Sequence, residues 1–325
     1  MFTGGVDSAT WRHHAWLNRL QSLLLLAFMG GFLALLGWLL WGGDGILMLL
    51  VAGGVFVLLN PTVSPRLIMN LYGATSLTAA QAPTLYAALR ELAKRAGLAV
   101  APTLYYVPSR MVNAFTVGRK DQSVVALTDG LLRALDTREQ IGVLAHEMSH
   151  VRSNDMWVMG LADMFSRLTS LLSLFGQLLL LVNLPLLLMS QLTVNWFAIL
   201  LLILAPSLSA LAQLGLSRTR EYDADLNASR LTGDPEGLAR ALVKIDRLQG
   251  GWLERLFLPG RRLPDPSLLR THPPTEERVR RLLALRRPVD TPRIAMPPGV
   301  SPLIDVLSGE GIRRAPRWRI SGLWH

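Results

Sequence analysis

Residues 168–217 run for fifty positions without one charged side chain or histidine. At 1.5 Å per residue this is enough for two helices that each cross a bilayer core of roughly 30 Å, with a turn between them. The most polar part, residues 190–195 (SQLTVN), is the expected turn. Pro185 and Pro206 are expected to bend the two arms, which a bundle tolerates when neighbours satisfy the freed carbonyls. The rival reading is a buried hairpin in a soluble protein, but few soluble cores need two such arms.

A second hairpin is expected at the N-terminus. Residues 23–41 carry no charge and as a helix reach roughly 28 Å. A cleaved signal peptide fits less well: the apolar core is too long, no small-x-small site follows, and another apolar run begins at once. Trp11 and Trp16 precede the run and Trp38 and Trp41 close it, as in an interfacial belt. Residues 46–59 are short enough for a re-entrant helix, but beside a full span they read as its return arm. Half of the 325 residues are hydrophobic and 17% charged, against about 25% in soluble domains, which excludes disorder. The absence of cysteine excludes disulfides, thiolate metal sites and cysteine nucleophiles.

The net charge of +10 rests on arginine; Lys94, Lys120 and Lys244 are the only lysines. Residues 66–167 hold 11 basic and 8 acidic side chains, and residues 218–325 hold 20 and 13. Basic blocks that flank uncharged runs point to an anionic membrane surface rather than to nucleic acid. The expected short loops, near 42–44 and 190–195, contain no Lys or Arg, whereas Arg12, Arg19, Arg66, Arg152, Arg167, Arg218 and Arg220 lie close to the spans. By the positive-inside rule both termini and the part between the hairpins are cytoplasmic.

Five segments follow: 1–65, an N-terminal arm and first hairpin; 66–167, a globular part; 168–217, the second hairpin; 218–287, a helical part; and 288–325, a Pro-rich extended tail. Within the globular part, residues 83–97 have helical spacing, and 103–107, 112–117 and 123–128 read as short strands of a small sheet. Asp136 and Glu139 form a capping-box pattern that opens the next helix. Helices are also expected at 218–231, 235–248 and 275–287.

That capped helix carries His146-Glu147-Met148-Ser149-His150, an H-E-x-x-H pattern. Residues i and i+4 project from one helix face, so two neutral imidazoles can bind zinc. Glu147 lies beside them as the base for a water proton. A catalytic zinc needs a third protein ligand, and Glu221-Tyr222-Asp223-Ala224-Asp225 offers one. Glu221 is assigned to one zinc per chain and Asp225 to a hydrogen bond with a ligand histidine that fixes its tautomer. Asp223 is expected to point away, at an exposed helix start. The 71 positions between His150 and Glu221 are explained if a membrane hairpin leaves and returns on the same side.

H-E-x-x-H with a downstream E-x-x-x-D is the gluzincin arrangement. Together with Asn113-Ala114-Phe115, the paired spans, and Thr271-His272-Pro273-Pro274 followed by Arg278, it resembles membrane zinc peptidases of the HtpX type, relatives of the CAAX prenyl proteases. The resemblance covers residues 10–287. It implies an α-helical integral membrane protein with about four transmembrane helices and an α+β gluzincin-type zinc peptidase domain carrying a small β-sheet. It further implies an endopeptidase of the bacterial inner membrane that acts on membrane or misfolded proteins in quality control. Asn113 and Ala114 would lie on a strand that pairs with extended substrate, His272 would stabilise the oxyanion, and Arg278 would support the site. A specific processing peptidase and a non-catalytic zinc-bound scaffold are the alternatives; the intact Glu147 argues against the scaffold.

Overall fold

The computed structural model describes residues 6–59, 64–185, 196–248 and 273–285. The expected turn at 190–195, His272 and the tail at 288–325 lie outside the described residues. The chain is mostly helical. Among the described residues three helices are long and apolar enough to cross a membrane: α1 (Ser8–Trp41), α7 (Asp155–Val182) and α8 (Trp196–Thr232). The shorter apolar α2 (Gly43–Leu59) completes the first hairpin. Gly37 and Gly45 let its two arms touch, since a Cβ on Gly45 would lie 2.0 Å from the Gly37 carbonyl oxygen.

The apolar side chains of these helices point outward as well as inward. Leu23, Leu50, Leu171 and Leu181 are more than 60% exposed, as lipid-facing residues are. Trp16 and Trp38 are exposed too, but Trp11 is held by the protein: its indole Nε1 donates to the Leu226 carbonyl at 3.1 Å, and the Arg230 guanidinium lies 4.6 Å from its ring centroid. Inside the bundle several polar groups find one another. The Ser166 hydroxyl donates to Gln213 Oε1 at 2.7 Å and lies 3.0 Å from Ser209 Oγ. Pro206 deprives the Leu202 carbonyl of its helical partner, and the Ser173 hydroxyl donates to that carbonyl at 2.6 Å.

Outside the bundle, α3 (Pro65–Leu71) leads to a four-stranded sheet of order β1-β2-β4-β3. Its strands are β1 (Thr75–Ser76), β2 (Thr103–Val107), β3 (Ala114–Val117) and β4 (Val124–Thr128); β2 and β4 are parallel and the other pairs antiparallel. The helix α4 (Pro83–Ala96) and the short α5 (Asp129–Ala134) flank it. The sheet is thus as expected, with β1, α3 and α5 added. The main core lies between the sheet, α4 and α6 (Thr137–Ser153), with Leu85, Leu89, Leu92, Leu127, Leu144 and Met148 fully buried. The expected capping box is present: Asp136 accepts from the Glu139 amide and Glu139 accepts from the Asp136 amide, both at 2.9 Å.

The helix α9 (Pro235–Leu248) crosses α6 closely at Gly142, where a Cβ would lie 2.8 Å from the Leu238 nitrogen. Finally α10 (Thr275–Ala284) packs on α8 and α9, with the Arg281 guanidinium 3.7 Å from the Tyr222 ring centroid. Where the sequence suggests a membrane arm followed by a separate helix from 218, α8 is continuous. Its apolar first half enters the bundle and its last turns enter the site.

Candidate active site

Two helices supply the central residues. On α6, His146, Glu147 and His150 are all buried, and α8 brings Glu221 and Asp225 against them. Donor atoms of His146, His150 and Glu221 all lie within 4.8 Å of one another. The two imidazole Nε2 atoms are 3.1 Å apart; Glu221 Oε2 is 3.5 Å from His146 Nε2, and Oε1 is 3.6 Å from His150 Nε2.

The other ring nitrogens face carboxylates. His150 Nδ1 lies 2.7 Å from Asp155 Oδ2, and His146 Nδ1 lies 3.0 Å from Asp225 Oδ1. With protons on Nδ1, both Nε2 lone pairs aim into the space beside Glu221. Lone pairs facing at this distance repel unless a proton or cation lies between them. Tetrahedral ligands at ordinary zinc–nitrogen distances sit about 3.3 Å apart, close to the separations seen. Two imidazoles and one carboxylate are also the donor set of a catalytic zinc site with a position left for water. The residues present therefore fit such an ion.

Each carboxylate behind a histidine is held in turn by a buried arginine. Arg278 donates from Nε and a terminal nitrogen to the two Asp225 oxygens at 2.8 and 2.7 Å, and a third nitrogen is 3.3 Å from Glu221 Oε2. Arg220 donates to Asp155 Oδ1, with its Nε at 2.7 Å. Burial by itself lowers the His146 pKa, but the Asp225 and Glu221 carboxylates outweigh it and raise the value to about 9. Burial likewise works against the Arg278 charge, and Asp225 and Glu221 more than restore it.

Most of the residues singled out in the sequence thus converge: His146, Glu147, His150, Glu221, Asp225 and Arg278. Asp223 does not lie at an exposed helix start. It is buried beside α6 and α7, accepts from Asn227 Nδ2 at 3.3 Å and pairs with Arg220 at 3.6 Å. Ala114 begins β3, an edge strand among the described residues, and Asn113 immediately precedes it. The Asn113 backbone is already committed to Thr128, its amide to the hydroxyl at 2.9 Å and its carbonyl to the amide at 3.1 Å. Ladder alternation then turns the backbone groups of Ala114 toward the open edge.

Three residues were not anticipated. Asp155 and Arg220 lie on opposite sides of the long uncharged run, but Asp163, Arg167 and Arg218 stand nearer to it, so nothing in the sequence singles them out. Thr116 donates to Glu147 Oε2 at 2.7 Å, and nothing in the local sequence distinguishes it from an ordinary strand residue.

The Peptidase family M48 model matches residues 79–286. A protein named "Protease HtpX homolog" from Acidiphilium cryptum is 37% identical over 289 residues, covering 82% of this chain and 96% of its own. Another of that name, from Pyrococcus furiosus, is 33% identical over 284 residues, covering 80% and 93%. A looser alignment, with TM-score 0.46 and 24% identity, covers 82% of this chain and 66% of the solved S. mikatae Ste24p. Taken with the apolar helices and the histidine–glutamate cluster, the family match makes this chain a member of peptidase family M48, an HtpX-like membrane metalloprotease.

Proposed function

We propose that the metal is zinc, one ion per chain held by His146, His150 and Glu221, and that the enzyme cleaves peptide bonds of membrane or misfolded proteins at the cytoplasmic face of a bacterial inner membrane. The observation that carries the reading is the meeting of three ligand side chains from both sides of a fifty-residue apolar hairpin, with a buried glutamate between the two histidines in sequence. Arginine placement supports the cytoplasmic orientation. Quality control and the inner membrane come from the HtpX resemblance.

A bound zinc ion supplies Lewis acidity to a carbonyl oxygen and to a water. Glu147 accepts the proton of the attacking water and delivers it to the leaving amine nitrogen. Asp155 and Asp225 fix the two histidine tautomers so that Nε2 is the free nitrogen of each. Arg278 keeps Asp225 ionised and steadies Glu221. The open edge of β3, at Ala114, pairs with an extended substrate backbone, and Asn113 anchors the start of that strand. By the resemblance, His272 supports the oxyanion.

Segments 66–167 and 218–287 together form the peptidase part, and 1–65 and 168–217 its anchor. The deciding experiment is Glu147→Gln. The purified variant is expected to keep one zinc per chain and lose hydrolysis of unfolded polypeptide; near-parental activity excludes the mechanism. A scaffold role has no use for a glutamate buried at this position, and the tether on Glu147 favours catalysis.

A further inference from the structure

We propose that Thr116 is a positioning residue for the general base: its hydroxyl, presented by the edge strand, holds the Glu147 carboxylate in the orientation from which it takes the water proton. The inference rests on the reading of Glu147 as that base.

The Thr116 hydroxyl donates to Glu147 Oε2 at 2.7 Å, and both side chains are more than nine-tenths buried. Among the described residues no cation lies within 4.0 Å of the Glu147 carboxylate, although the Arg278 charge acts on it from farther away, and Thr116 is its side-chain hydrogen-bond donor. A glutamate has three rotatable bonds, and a base must come within roughly 2.6–3.2 Å of the proton it abstracts. One donor on Oε2 removes most of that rotational freedom and leaves Oε1 for water. Threonine is suited to the task because branching at Cβ makes χ1 stiff in a strand.

Strand alternation places the hydroxyl. Ala114 and Thr116 share one face of β3 and Phe115 and Val117 the other. Ala114 packs against the core that includes Leu144 and Met148 of α6, whereas Val117 packs with Val107, Val124 and Ala126 on the far face. Thr116 pairs with Val125 across the ladder, so its position is set by the sheet and not by a loop. Valine has the same branched shape and stands at the next position, so packing alone does not require an oxygen at 116. The outer edge of the same strand is where a substrate backbone would dock, and a docked strand would stiffen the element that carries the donor.

The test compares Thr116→Val and Thr116→Ser with the parent, and with Glu147→Gln as the reference for a lost base. Metal content, kcat and KM are measured on zinc-loaded protein with an unfolded polypeptide substrate. Thr116→Val is expected to keep its metal and its KM within twofold while kcat falls about 10–100-fold, part of the ~10²–10⁴ that a positioned base supplies. Thr116→Ser is expected to recover kcat to within about threefold. The Glu147 carboxylate stretch is read independently in metal-free protein, as the infrared difference between each form and the same form carrying Glu147→Gln. It should shift in Thr116→Val and return in Thr116→Ser. A parent as inactive as Glu147→Gln, with the infrared shift present, refutes the catalytic reading and leaves the contact standing. An active parent with kcat unchanged in Thr116→Val, or an unmoved carboxylate band, overturns the proposal.

Discussion

His150 Nδ1 lies 2.7 Å from Asp155 Oδ2, although a break between helices separates the two residues. Asn154 makes the break in the left-handed region, at φ 55°, where asparagine is the best tolerated residue after glycine. The turn sends α7 off along a new direction while its first side chain reaches back to the metal-facing histidine. Asp155→Asn keeps the shape but gives up the charge that Arg220 and His150 share. It is expected to weaken metal binding about 10–100-fold with helix content unchanged, read by competition with a chromophoric chelator. Unchanged affinity excludes the role.

Glu221 and Asp225 differ in kind although they sit one turn apart on α8. Glu221→Ala removes the proposed ligand oxygen and leaves two imidazoles, so the metal should be lost at chelator concentrations that leave the parent intact. Asp225→Ala removes an orienting partner of His146 and leaves Arg278 buried, so its loss of metal should be smaller and its thermal stability lower. The reverse order of metal loss would exchange the two roles.

The raised pKa of His146 sets a pH dependence of metal binding. In the metal-free protein the imidazole keeps its proton until the pH passes about 9, and coordination requires that proton to leave. Between neutral pH and about 9, affinity should therefore rise about tenfold per pH unit on account of this residue, then level off. Asp225→Asn removes one of the carboxylates that hold the proton, so levelling should begin at lower pH. Chelator competition at a series of pH values measures both slopes.

Within the bundle, Ser173 and Pro206 form a matched pair through the Leu202 carbonyl. Ser173→Ala should cost about 0.6 kcal/mol in detergent unfolding, the average for hydrogen bonds between membrane helices. In a Pro206→Ala background the helix can satisfy that carbonyl itself, and the same substitution should cost close to nothing. Equal costs in both backgrounds would separate the serine from the proline.

Topology is open to direct measurement. A reporter that works only in the cytoplasm should be active when fused after residue 130 and silent when inserted near Gly43. The opposite pattern reverses the orientation drawn from the arginines.

The elements that repeat a local rule were legible in the sequence. Residues 23–41 and 168–217 announce spans by lack of charge, Asp136 and Glu139 announce a helix start, and H-E-x-x-H announces two imidazoles on one face. Glu221 was reachable because zinc chemistry demands a third ligand and an acidic pair stood just past the hairpin. Thr116, Asp155 and Arg220 obey no spacing rule. Each acts through contacts with residues distant in sequence or set across a helix break, such as Arg220 with Asp155 over 65 positions, and only tertiary packing brings such pairs together. The continuity of α8 was missed for the opposite reason: the change from apolar to charged at Arg218 looks like a boundary, yet helix periodicity takes no notice of it.

Because α8 is one uninterrupted rod, the order in which the chain is made has a bearing on when it can cut. His146 and His150 are synthesised before the apolar hairpin and Glu221 after it. On the proposed topology the two imidazoles meet their carboxylate only once both arms have entered the lipid and the second has come back to the side it left. A nascent chain stalled at the membrane would then hold an incomplete ligand set, and the protease would gain its activity from the same event that confines it to the bilayer.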